Sequence, residues 1–526
     1  MSGFAGTADA IRFALKRDRL ILPIWVAVLI GWIAMEVISY KNLYGTTAQL
    51  DALYRSVAGN PAMVAISGPT GGIRTLGGAI TWDSLPTISV VSGVFAMFSV
   101  VRHTRAEEED GRTELLLAYG SGRLAPLAAA LTVTLAALAL ASAGYVAVFA
   151  AEGLPVGPAT LLSLSFFGFG AVIAGTTAVV CQVTSKARAA RGLVGIVIGA
   201  AWLLRAIGDT GGGTLTWFSP LGWAEQTRPF WEDRWWPLLL PLAAFAVTLA
   251  LSGWLLVRRD IGGGLIQPRP GPARARKSLL HPLGFAFRIQ RGSIIGWAVM
   301  LFAYGFAVGV IGDNIEQLLK TSSAFTEAFA SASGNLLDSY FASILTVIAL
   351  LASGFTVSAV LRPHSEESRG RVGLLLAAPL GKVCWVANHL LIAFAATAVI
   401  IALVGLGLGI GFAVATGDSG QIGRLTGAAV AQTPAMWLTG SLVVLLYGLS
   451  SRLSPVAWGL LATFVLIWTL ASFGDIPNWI VDLSPFSHTP AVPAVPLDLT
   501  PLLVMTALSA ALTASGLALW RRRDLL

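Results

Sequence analysis

At 526 residues, 55% of them apolar and only 12% charged, the chain lies far from a soluble composition, in which about 25% of residues are charged. Its mean hydropathy is +0.75. The net charge of +8 would suggest a nucleic-acid partner in a soluble protein, but here the basic residues sit between apolar runs, where membrane topology accounts for them, and no nucleic acid is expected.

In chain order, Phe4, Ala8, Ile11 and Leu15 share one helical stripe, and Arg12, Lys16 and Arg19 share another. This predicts an amphipathic helix in the membrane interface, either as an anchor on anionic lipid or as a contact for a soluble partner. The apolar run that follows is too long for a signal-peptide core and lacks an A-x-A-like end, so it is read as a retained span. Runs of about 20 apolar residues, the length a helix needs to cross a bilayer, recur throughout. The predicted spans are 20–40, 85–101, 124–150, 158–183, 189–207 and 235–257, then 292–312, 341–361, 383–412, 426–449, 454–473 and 498–520. The expected fold is an all-α polytopic membrane protein of about twelve helices. Basic residues before span 1, between spans 2 and 3, between spans 4 and 5, and after spans 6 and 12 all fall on one side. The positive-inside rule makes that side, and both termini, cytoplasmic.

Connections on the opposite side are longer. Leu50, Leu53, Tyr54 and Val57 suggest an amphipathic helix in 41–84, and Ile315, Leu318, Leu319 and Phe325 another in 313–340. Between spans 5 and 6 lie Trp217, Phe218, Trp223, Phe230, Trp231, Trp235 and Trp236, either an interfacial aromatic belt or a re-entrant closure of a pathway. Asp209 follows Arg205 by one helical turn and can pair with it, whereas Ala471 stands near the equivalent of Arg205 later in the chain.

The chain repeats itself. RAEEEDGRTELLLAYGSGR at 105–123 aligns without a gap with HSEESRGRVGLLLAAPLGK at 364–382, 259 residues later. FALKRDR at 13–19 resembles FAFRIQR at 285–291, Gly208-Asp209 recurs as Gly474-Asp475, and SGWLLVRRD at 252–260 resembles SGLALWRRRD at 515–524. The expected organisation is a six-span half at 1–261, a Pro/Arg-rich cytoplasmic linker at 262–280, and a second six-span half at 281–526. Six is even, so the halves would share one orientation about an axis along the membrane normal.

In each charged repeat, carboxylates suit the positive end of a helix that starts there. The expectation is a short interfacial helix with an acidic, Arg-bearing outward face that docks a partner, the alternative being a solvated loop that only obeys topology rules. Its candidate residues are Glu107, Glu108, Gly111, Arg112, Glu114 and Leu115, with Glu366, Glu367, Gly370, Arg371 and Leu374 in the second copy. Ionisable groups at mid-depth are sparse. Glu36 lies near an end of span 1, and His389 in span 9 reads as a hydrogen-bonded packing residue or a proton relay. Gly405, Gly407, Gly409 and Gly411 form small-xxx-small pairs for helix packing. The two cysteines, Cys181 and Cys384, have no metal-ligand spacing, and no P-loop, H-E-x-x-H or G-x-S-x-G sequence occurs, so the chain reads as non-catalytic, with no cofactor or metal of its own.

A Glu-rich turn followed by G-[TR]-x-E-L-L-L, between spans 2 and 3 of a six-span unit, resembles the permeases of type-2 ATP-binding-cassette exporters. The copy at 105–123 is the closer match, and the second departs at Gly373, where the first has Glu114. The doubled unit looks most like actinobacterial permeases of polyketide-antibiotic and multidrug export, the tetronasin type. The resemblance implies a permease in a bacterial plasma membrane, two copies of a separate ATPase that bind ATP and Mg, docking at Glu107–Leu117 and Glu366–Leu376, and export of hydrophobic or amphiphilic compounds. It also implies substrate contact with spans 1, 2, 5, 7, 8 and 11. Phe95, Met97 and Phe98 in span 2 and Phe355 in span 8 are candidate contacts there, or simply helix packing. The alternative is an ion-coupled secondary transporter of twelve spans, for which His389 is the deep candidate.

Overall fold

The computed structural model describes residues 3–58, 61–266, 271, 273–321, 336–368, 370–377, 380–473 and 476–523. All regular structure among them is helical, and twelve helices are long and apolar enough to cross a membrane. The chain divides into two compact units, Met1–Gly271 and Pro272–Leu526.

In the first unit the amphipathic helix α1 (Thr7–Arg17) leads through a short turn into the first span, α2 (Ile21–Leu43). Two short helices follow, α3 (Thr47–Val57) and α4 (Pro61–Ser67). Thr46 and Gln49 form a capping box on α3, and Leu50, Leu53 and Val57 bury its predicted apolar stripe against Ile73 and Trp82. The second span, α5 (Leu76–His103), starts well before the predicted 85. The cap on Thr75, whose hydroxyl accepts from Gly78 N at 3.1 Å, sets that start. The added turns carry Thr81, Asp83 and Ser84, which a hydropathy reading discounts.

Next come α6 (Arg105–Glu109) and α7 (Arg112–Ala118), then the spans α8 (Ala125–Ala151), α9 (Val156–Val183) and α10 (Ala187–Thr210), the short α11 (Pro220–Glu225) and the sixth span, α12 (Leu239–Arg258). Helices α5 and α9 form the centre: 72% and 67% of their most apolar stretches are buried, against 22% for α2 and α12. Small residues let the central pair approach, since a Cβ on Gly93 would stand 2.7 Å from the Phe169 ring. Ser92 donates across to the Phe166 carbonyl at 3.1 Å.

The second unit differs at its start. The predicted amphipathic stripe of Leu283, Phe287, Arg288 and Arg291 and the predicted span at 292–312 are one continuous helix, α13 (Pro282–Thr321). No Asp18-type turn interrupts it, because the positions of Arg17-Asp18 are taken by Ile289-Gln290. Of the predicted outer stripe, Phe325 lies outside the described residues, as do Gly474 and Asp475. Then follow α14 (Leu336–Val360), α15 (Arg362–Glu367), α16 (Arg371–Leu376) and α17 (Lys382–Thr416). The predicted span at 426–449 is two helices, α18 (Gly420–Val430) and α19 (Thr433–Leu449), broken just before Pro434. The spans α20 (Ser454–Phe473) and α22 (Leu499–Arg522), with the short α21 (Asn478–Val481) between them, complete the unit.

The glycine stripe of α17 is a two-sided packing surface. Gly407 and Gly411 lie against the carbonyls of Phe302 and Phe306 in α13, and Gly405 and Gly409 lie against Thr426 and Ile422 in α18. Gly305 and Gly309 answer from α13 against the Val404 and Leu408 backbone. Within a bilayer such contact holds helices together by packing, since lipid is as apolar as leucine. Gly407→Val and Gly411→Val are each expected to cost about 1–3 kcal/mol, read as a fall in Tm of the detergent-solubilised chain. Gly459→Ala, in α20 with open space around it, is expected to leave Tm unchanged. Equal shifts in all three variants would contradict the packing account.

Candidate functional site

Both charged repeats fold as a helix, a glycine and a second helix. In the first, α6 ends at Glu109, Asp110 caps it, and Gly111 takes φ +73° before α7 begins. In the second, Gly370 takes φ +68° before α16. A residue with a Cβ is strained there, which explains the glycine. The arginine after each glycine points back: Arg112 pairs with Glu107 at 3.4 Å and Arg371 with Glu366 at 3.3 Å. The recurrent Gly-Arg pair is thus a reversal plus its lock.

The glutamates are the correction to the predicted outward acidic face. Glu107 is 5% exposed and Glu366 4%, and the Glu108 and Glu367 side chains are also largely enclosed. Buried carboxylates need partners, and each glutamate has them inside its own unit. Glu108 pairs with Arg105 at 2.7 Å and with Arg259, the residue just past α12. Glu367 pairs with Arg523, the residue just past α22, and accepts from the Tyr447 hydroxyl at 2.7 Å. The second glutamate of each copy therefore ties the turn to the end of its unit's sixth span. Arg105 donates further to the carbonyls of Cys181 and Gly263, both at 3.0 Å, and Arg259 donates to Gln182 Oε1 at 2.7 Å. Glu109 accepts from Ala187 N at 2.6 Å, fastening α6 to the start of α10.

The first glutamate distinguishes the copies. Glu107 also pairs with Arg17, which ties the first turn to α1. Next to it Asp18 pairs with Arg102 at 2.7 Å and His103 at 2.8 Å. Burial pushes the Asp18 carboxyl up, but the hydrogen bond and charge of His103, then Arg102 and Arg17, prevail and hold it below its ordinary value. In the second copy Ile289 replaces Arg17, and Glu366 instead pairs with Arg362 of its own turn at 2.9 Å. His364 stands where the first copy has Arg105. Its ring meets Tyr447 edge-on, and burial above all keeps its pKa below the usual imidazole value.

What faces outward is α7 itself. Glu114 and Ala118 are exposed, Leu115 is 62% exposed and Tyr119 90%. In the second copy Gly373 and Ala377 are exposed, and of Leu374 only its place in α16 is described. Sequence reasoning found the turns but not Arg17, Arg105, Arg259, Arg523 or Tyr447. The signal for Arg259 and Arg523 was present in the aligned segments SGWLLVRRD and SGLALWRRRD, where the arginines pass as topology markers.

Of the candidate pathway residues, Phe95, Met97 and Phe355 are enclosed within their units, Phe95 beside Trp25 and Phe355 beside Trp297. Phe98 is 46% exposed, with Arg191 over its ring. His389 is fully buried, with Nδ1 3.2 Å from Gln290 Nε2 and the ring edge-on to Trp385. The predicted Arg205–Asp209 pair forms at 3.7 Å.

Removing Arg259 leaves Glu108 with Arg105, whereas removing Arg523 leaves Glu367 with a phenol. Arg523→Ala is therefore expected to raise hydrogen exchange across 362–377 more than Arg259→Ala raises it across 105–118. Mass-spectrometric exchange on the purified chain reads this, and equal or reversed losses of protection would contradict the ranking.

Residues 279–521 match the family model described as the C-terminal domain of the multidrug efflux system permease Rv1217c. The chain is 36% identical over 528 residues to the multidrug efflux system permease protein Rv1217c of Mycobacterium tuberculosis, covering 99% of this chain and 96% of that protein. With twelve helices among its described residues long and apolar enough to cross a membrane, and with this likeness over nearly its whole length, the chain belongs to the family of multidrug efflux system permeases.

Proposed function

We propose that this chain is the permease subunit of an ATP-driven exporter of the type-2 ATP-binding-cassette class. It works with two copies of a separate ATPase and moves hydrophobic or amphiphilic compounds out across a bacterial plasma membrane. In this reading the halves 1–261 and 281–526, joined by 262–280, are two six-span repeats of one orientation with both termini in the cytoplasm. The observation that carries the proposal is the turn built twice, each time wired by its second glutamate to the arginine past the sixth span. A solvated loop obeying topology rules has no use for that wiring, but a lever does.

The docking surface is the exposed face of α7, with Glu114, Leu115, Ala118 and Tyr119, and its plainer counterpart with Gly373 and Ala377. The paired glutamates stand behind that surface. ATP-driven closure of the ATPase dimer pushes the turns, and Glu108–Arg259 and Glu367–Arg523 pass the push to the sixth spans. Hydrophobic substrate then meets the membrane-crossing helices, with Phe98 as the accessible aromatic on span 2.

The test is co-purification with ATPases encoded beside the gene, followed by ATP hydrolysis and transport in nanodiscs. Leu115→Asp with Tyr119→Ala is expected to weaken ATPase binding by about tenfold or more, the effect of losing an apolar anchor from an interface. Glu108→Gln is expected to retain binding and hydrolysis but lose transport. Alanine at Glu107 and Glu108 is expected to impair transport differently from alanine at Glu366 and Glu367, since the first pair also holds α1. An intact chain that binds no such ATPase would sink the proposal, and equal losses in the two double mutants would remove the asymmetry.

A further inference from the structure

At the end of the first unit opposite the charged turn lies a second buried cluster. The Arg205 side chain is fully buried and donates to the carbonyls of Ala65 at 3.1 Å and Ile66 at 2.7 Å, so that it ties α4 to α10. Two carboxylates share this one guanidinium: Asp209 Oδ2 lies 3.7 Å from Nη1, and Glu225 Oε1 lies 3.4 Å from Nε. Their side chains are 2% and 6% exposed. Thr216 donates to Asp209 Oδ1 at 2.7 Å, but neither oxygen of Glu225 accepts a hydrogen bond. With both acids ionised the cluster carries a net charge of −1 away from water, which is costly unless a proton neutralises it.

Glu225 also borders a cavity of about 40 Å³, lined besides by Ser67, Thr81, Trp82, Arg228 and Trp231. That is room for a water or two, and so for proton exchange, but not for an organic ligand. The charged groups around Glu225 are Arg205 and Asp209 from α10 and, across the cavity, Arg228, which is paired to Glu232 at 2.5 Å. The segment 61–72 contributes only backbone and uncharged side chains, and α5 contributes Thr81 and Trp82.

We propose that Asp209 and Glu225 form a proton-binding site beside Arg205. The pair holds one proton on a carboxyl–carboxylate bridge and exchanges it through the water-sized cavity. While the proton is bound, the guanidinium and the remaining carboxylate balance, and the tie from Arg205 to Ala65 and Ile66 is undisturbed. When it leaves, uncompensated negative charge loosens the segment 61–72. Burial above all, opposed by Arg205 and reinforced by the charge and hydrogen bond of Asp209, pushes the Glu225 carboxyl well above its ordinary 4.5. A raised folded value means that this contribution to stability is complete below about pH 4.5 and is lost as pH rises through the folded value. The site belongs to the first unit, because Ala471 stands near the equivalent of Arg205 in the second. It does not depend on the ATPase reading, and its failure would leave that reading intact.

The test uses the full chain in nanodiscs, with protons as the only ligand. Infrared difference spectra at neutral pH are expected to contain a protonated carboxylic-acid C=O stretch that disappears in Glu225→Gln and also in Asp209→Asn, where Glu225 keeps Arg205 to itself and ionises. Hydrogen exchange across 61–72, corrected for intrinsic rates, is expected to rise by up to about tenfold per pH unit between about pH 4.5 and the folded value in the wild type, to level off above it, and to stay flat in Glu225→Gln. A band unchanged in both variants, or the same pH dependence in wild type and Glu225→Gln, would overturn the proposal. If Glu225→Gln does not fold, the Asp209→Asn spectrum alone decides: a retained band refutes the shared proton and a lost band supports it.

Discussion

The structure turns on an ion pair made twice, Glu108 with Arg259 and Glu367 with Arg523. A carboxylate withdrawn from water is tolerable only when a cation and further hydrogen bonds meet it in good geometry. That requirement fixes the residues around it. The arginine must sit just beyond the last turn of the sixth span, the glutamate just after the second, and the chain between them must reverse tightly enough to bring them together. Gly111 and Gly370 supply the reversal in a conformation that other residues resist.

The two units satisfy this constraint with different chemistry. Around Glu108 stand two guanidinium groups, and around Glu367 one guanidinium and a phenol. The first turn is tied to α1 through Glu107 and Arg17, while the second closes on itself through Arg362 and Arg371. The same substitution that removes Arg17 in the second unit accompanies the fusion of its amphipathic segment into the 40-residue helix α13. The central pair is thus the same in both units while its flanking contacts differ.

Most of the fold is legible in the sequence because the bilayer demands long apolar helices, and runs such as 124–150 state their length outright. The glycine stripe of α17 is equally readable, since small residues at four-residue spacing have few uses other than close packing. What escapes is polar and non-local. The early start of α5 hangs on a threonine cap, and the break between α18 and α19 on a proline in an otherwise apolar run. The turns are visible as a repeat, but Glu108 and Glu367 read as surface residues because Arg259 and Arg523, which meet them, lie about 150 residues away in sequence. No local rule distinguishes an arginine that marks topology from one that meets a buried acid.

The bond between Glu107 and Arg17 has a mechanical corollary. Helix α1 presents Phe13 and Leu15 on its exposed surface, with Phe4 exposed just ahead of it, which suits it to lie half-sunk in lipid. In the proposed lever action, a displacement of the first turn would drag this float through the headgroup layer, while the second turn would move without one. The two levers would then work against unequal drag, and the viscosity and charge of the surrounding lipid would set the pace of one stroke more than the other.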